Sequence, residues 1–111
     1  TNPSKIIIGK WILTEKRGVG IEKVAPNGSY TEFFSNGVAI YYDASNDITN
    51  YFPYYFDDST LNIRIAYFEE DSTALWQKYL YEFSNRNNTL KEDMSPWVDA
   101  MYDVFILERI K

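Results

Sequence analysis

The sequence contains no cysteine and no histidine. Without cysteine there is no disulfide framework, no thiolate nucleophile and no thiolate metal site. Without histidine, Ser-His-Asp and Cys-His catalysis, His-ligated zinc and the usual switch near neutral pH fall away as well. Carboxylates, tyrosines and lysines are the chemical groups that remain, which argues for a protein that is not an enzyme and carries no cofactor. Clustered positive charge is also missing. The eleven Lys and Arg form no run and the net charge is −5, so nothing here neutralises phosphates as a nucleic-acid binder must. No window reaches the roughly 18 uncharged apolar residues that a membrane-spanning helix needs.

What the chain has in excess is aromatic surface. Ten tyrosines, seven phenylalanines and three tryptophans in 111 residues supply apolar area for one core, and the whole of 1–111 reads as one domain. Alternating or wholly apolar runs mark the strands. They fall at Ile6–Lys16, Ile21–Ala25, Tyr30–Phe34, Val38–Tyr42, Tyr51–Phe56, Leu61–Phe68, Thr73–Phe83 and Tyr102–Ile110, with a weak short one at Thr89–Asp93. Asn36-Gly37 between two such runs is a strong hairpin signal. Pro53 demotes part of its run to an edge or a bulge.

Two places favour helical turns. Asn2-Pro3 sets a cap before a residue of fixed φ, and Ser95-Pro96 does the same ahead of Trp97–Met101. The fold class that follows is all-β: an antiparallel up-and-down barrel of about eight strands with a short helical turn near residues 95–101. First and last strands would then lie side by side.

Ile8-Gly9-Lys10-Trp11, Tyr30-Thr31-Glu32-Phe33 leading into Asn36-Gly37, the Tyr54-to-Leu61 turn and the closing Leu107-Glu108-Arg109-Ile110 form an ordered pattern. It resembles the small bacterial lipocalin-like domains found on secreted proteins and lipoproteins of gut Bacteroidetes. The resemblance implies that Trp11 sits at the closed end of the barrel with Arg109 from the last strand across it, Gly9 allowing the close approach. It also implies an extracytoplasmic location, periplasmic or at the cell surface, with any lipid anchor on a segment ahead of Thr1.

The candidate ligand-binding residues are aromatic or cationic. Tyr42, Tyr54, Trp76 and Tyr79 offer aromatic walls, Trp97 a lid over the turn that bears it, and Arg64 a fork for a ligand carboxylate. Each has a plainer reading: core or outer-face packing for the aromatics, an anchor for Trp97, and an outward side chain covering the sheet for Arg64. Asp43, Ser45 and Asp47 mimic the opening of a calcium loop, but Ile48 stands where glycine is needed and Tyr54 where the bidentate Glu belongs, so no metal is expected there. The expected function is non-enzymatic binding of a small apolar or aromatic ligand in the barrel mouth. The alternative is an interaction module for protein or glycan with a filled core.

Overall fold

The computed structural model describes residues 2–110. It opens with a single helical turn, α1 (Pro3–Ile6), where Asn2 Oδ1 accepts from the Ser4 N–H at 3.0 Å and Pro3 occupies the first helical position. Nine strands follow: β1 (Gly9–Gly18), β2 (Ile21–Lys23), β3 (Tyr30–Phe33), β4 (Val38–Asp43), β5 (Ile48–Asp57), β6 (Thr60–Phe68), β7 (Thr73–Ser84), β8 (Thr89–Asp93) and β9 (Tyr102–Arg109).

All pairings are antiparallel. Strand β1 joins β3, neighbours then follow chain order to β9, and β9 returns to β1, so eight strands close into a barrel. The ninth, β2, lies outside that ring, paired only with the far half of β1 from Glu15 to Arg17. The closing seam pairs Trp11 with Arg109, Ile12 with Glu108 and Leu13 with Leu107. Thr14 is then an extra residue in β1, and its hydroxyl donates to Ile106 O at 3.2 Å. Such a bulge bends the strand and raises its twist, which a small barrel needs.

The first strand starts three residues later than its hydrophobic run implies. The cap at Asn2 and Pro3 draws Ile6 into the helix, and Ile7 and Ile8 form the link to Gly9, whose φ of +128° suits only glycine. Ile7 becomes a fully buried plug instead of a strand residue. Strand β5 begins earlier than expected, at Ile48, because the polar stretch Asp43–Asp47 is used up in a tight turn. There Asp43 accepts from the Ser45 N–H at 3.0 Å and the Asn46 side chain at 2.8 Å, so its carboxylate serves the turn. The weakest segment in the sequence, β8, is a full wall strand paired on both sides.

At residues 95–101 the chain makes one hydrogen-bonded turn, Val98 N–H to Met94 O at 3.1 Å, and then runs irregularly into β9. Asp93 supplies the capping oxygen, accepting from the Ser95 N–H at 2.9 Å. The only helix among the described residues is α1.

The seam between β5 and β6 is incomplete. Strands β5 and β6 pair only from Tyr54–Ile63 to Asp57–Thr60. Because the Tyr54 N–H donates to Gly37 O on the β4 side, the odd-numbered residues of β5 turn their amides toward β6. The next bond in that ladder would need an N–H from Pro53, which has none. On the facing strand, Ile65 is an extra residue between Arg64 and Ala66. Beyond this point each strand keeps only its other neighbour, and the wall parts.

Candidate functional site

The two ends of the barrel are built differently. At the end carrying α1 and the turns at 34–37, 58–59 and 85–88, the interior is solid: Trp11, Phe33, Leu61 and Leu90 are essentially inaccessible. The carbonyls at the end of α1 lie beyond the helix's own donors and are answered by side chains. Trp11 Nε1 donates to Ile7 O at 2.8 Å, Arg109 Nη1 to Ile8 O at 2.7 Å and Nη2 to Ile6 O at 2.5 Å. Arg109 also donates through Nε and Nη2 to Asn87 O, at 3.2 and 3.0 Å, and its guanidinium lies 4.2 Å from the Trp11 ring centroid. A Cβ on Gly9 would stand 2.9 Å from Arg109 Nη1. Gly9, Trp11 and Arg109 thus stand together at this sealed end.

Toward the other end the interior opens into a cavity of about 240 Å³. Phe33, Ala39 and Leu107 form its deep part, Phe52, Ile63 and Ile65 its sides, and Tyr41, Tyr79, Thr31 and Glu92 bring polar atoms to the wall. The parted seam runs along it, since Phe52 lies on β5 and Ile65 on β6. Exposed apolar side chains continue outward past the mouth: Ile48, Ile65, Phe68 and Leu75.

Of the six side chains named from the sequence as ligand contacts, only Tyr79 lines this cavity. Tyr54 is buried at the solid end, its hydroxyl donating to Phe34 O at 2.6 Å and its ring edge-on to Phe33 at 5.1 Å. Tyr42 sits on the outer face against Tyr30 at 5.5 Å, its hydroxyl donating to Asp47 at 2.9 Å. Its neighbour Tyr41 is the one that points inward. Arg64 lies over Tyr67 at 5.2 Å and Trp76 packs edge-on to Tyr55 at 4.9 Å, both pairs outside the barrel. Arg64 therefore offers the interior no cation. Trp97 is half exposed on the 95–98 turn and borders a separate surface hollow with Asp99 and Asp103.

The residue that sequence reading missed is Glu92. It is 8% exposed, it lines the cavity, and among the described residues no side chain donates to its carboxylate. Burial alone pushes its pKa up to about 7. Burial, and after it the Glu92 charge, raises the Tyr79 phenol above its ordinary value. The other buried carboxylate, Glu15, is of a different kind. It lies outside the ring, bonded to Lys23 and Arg17, and those bonds hold its pKa below the usual carboxylate value.

Among the described residues, no three His, Cys, Asp or Glu side chains stand together as metal ligands, and no helix is long and apolar enough to cross a membrane. Fold and interior together define a closed, eight-stranded antiparallel barrel with one sealed end and one hollow end. Neither the protein-family models nor the curated proteins contain a match to this chain.

Proposed function

We propose that the protein binds a small apolar or aromatic molecule in the hollow end of the barrel, as a lipocalin-like carrier or sensor and not as an enzyme. The observation that supports this reading most directly is the 240 Å³ cavity with its largely apolar wall. An apolar protein cavity of about 150 Å³ already accommodates benzene. The volume lies below the roughly 300–1,000 Å³ of sites for drug-sized ligands, so the reading is restricted to single rings and short acyl chains. The lipocalin-like sequence pattern adds an exported, extracytoplasmic location to the proposal.

The test is a titration of the isotopically labelled protein with ethylbenzene, followed by amide and methyl chemical shifts. Binding inside the barrel shifts Ala39, Ile63, Ile65 and Leu107 together. Ala39→Phe, which places a ring in the cavity, abolishes those shifts while its circular dichroism stays that of a folded barrel. Shifts confined to Tyr51, Tyr55, Tyr67 and Trp76 on the outer surface would refute interior binding and favour an interaction module.

A further inference from the structure

We infer that the barrel interior selects ligands that carry a cationic or hydrogen-bond-donating head, with a primary alkyl- or arylamine as the matching class, and that Glu92 is the residue that holds this head. The inference rests on the reading of the cavity as a ligand site and deepens it.

The geometry is that of a polar point in an apolar cup. Glu92 comes from the end of β8, one residue before its final Asp93, between Tyr81 of β7 and Phe105 of β9, and its side chain shares the cavity wall with Phe33, Ile63 and Leu107. No Lys or Arg lines the cavity, and Arg64, the one cation on the neighbouring stretch of β6, is turned outward onto Tyr67. A largely buried carboxylate with no side-chain partner is costly, and the cost falls when a cation or a strong donor arrives. The hydroxyl-bearing residues of the same wall, Thr31, Tyr41 and Tyr79, add acceptors, and an ammonium group has three N–H donors to share among them. The raised pKa of Glu92 is consistent with an unpaired site, since burial is its sole cause.

A ligand carboxylate, by contrast, would meet a like charge at short range in a poorly solvated space. That reverses the preference expected from the sequence, where Arg64 was the candidate for an acidic head. An uncharged hydrocarbon would fill the cup and leave Glu92 unanswered.

The experiment compares ligands of one shape and different heads on the full chain at pH 8: 2-phenylethylamine, 3-phenylpropionate and ethylbenzene, with affinities from chemical-shift titration. A charge-assisted hydrogen bond is worth about 1.5–3 kcal/mol, so the amine should bind roughly 10- to 100-fold more tightly than ethylbenzene. The acid should bind more weakly than either. In Glu92→Gln the amine and the hydrocarbon should come within about twofold of each other, the residual difference being that of an uncharged acceptor.

Equal affinity of amine and hydrocarbon in the unmodified protein would overturn the head-group inference and leave interior binding standing. An amine preference that survives in Glu92→Gln would overturn the role of Glu92. Absence of shifts at Ala39, Ile63 and Leu107 with all three probes would overturn interior binding itself. The three-ligand comparison needs no variant, so the inference stays open to refutation even if Glu92→Gln folds poorly.

Discussion

Arg109 lies with its guanidinium 4.2 Å from the ring centroid of Trp11, and the same two residues are cross-strand partners in the seam that closes the barrel. One contact thus serves two ends of the chain. The arginine also holds the carbonyls of Ile6 and Ile8, so the helical plug, the first strand and the last strand meet at one side chain.

Arg109→Ala should therefore destabilise the fold by about 2–4 kcal/mol, combining a lost cation–π contact with carbonyls left short of donors. Arg109→Lys should recover little of this, because an ammonium cannot reproduce the fork that reaches Ile6, Ile8 and Asn87. Urea denaturation of both variants checks it. A loss under about 0.5 kcal/mol for the alanine variant would show the contact to be incidental.

Gly9→Ala is expected to cost about 1–3 kcal/mol, for two separable reasons: a φ that L-residues rarely adopt and a Cβ meeting Arg109. A double-mutant cycle with Arg109→Ala divides them. The steric part disappears when the guanidinium is gone, and the backbone part stays.

Tyr54→Phe removes the hydroxyl that donates to Phe34 O and should cost about 1 kcal/mol. It should leave ligand affinity within error, since Tyr54 belongs to the solid end. A matched titration of both proteins is the check, and a clear loss of affinity would return Tyr54 to the binding wall.

Stability should fall as pH rises from 4.5 to about 7, because Glu92 titrates near 7 when folded and near the ordinary 4.5 when unfolded. The folded state binds the extra proton in this window, so the contribution is fully present below 4.5 and lost above 7, a change of about 3 kcal/mol at most. The cross-strand neighbours Tyr81 and Phe105 add no charge there. In Glu92→Gln the slope should vanish and stability at pH 8 should rise by about 1–3 kcal/mol. Glu15 acts in the opposite sense and lower down. Its depressed pKa stabilises above 4.5 and is lost on acidification, so the variant's remaining pH dependence lies on the acid side. Guanidinium denaturation at pH 3, 4.5, 6 and 8 resolves both slopes.

The barrel was legible in the sequence because it rests on local signals, strand runs at regular spacing and Asn36-Gly37, whereas the placing of Trp11 against Arg109 came from the family resemblance. The cavity wall was not legible. Tyr41 and Tyr42 are adjacent, and which of them faces inward depends on register, a property of two strands and not of one. Bulges at Thr14 and Ile65 shift the alternation again. Glu92 sat between Lys91 and Asp93 in a segment that read as a weak short strand. Its spacing of two from Leu90 was the available signal, placing it on the same face as a residue that proved fully buried. The first strand was misplaced for the opposite reason: a three-isoleucine run is strong as pattern, but the Asn2-Pro3 cap acts earlier and takes its first residue.

The seam interrupted at Pro53 and Ile65 also changes what the cavity volume means. Where neighbouring strands are paired, as along β4–β5 and β6–β7, widening the cup would require breaking ladder hydrogen bonds. Along β5 and β6 above Tyr54 and Ile63 there are none to break. No ladder bond ties the two strands together there, so the 240 Å³ of the interior is not fixed by backbone pairing along this gap. Under the proposed ligand-binding reading, the size of a guest would depend on the spacing of Phe52 and Ile65, and its route in would include the gap between these strands as well as the rim.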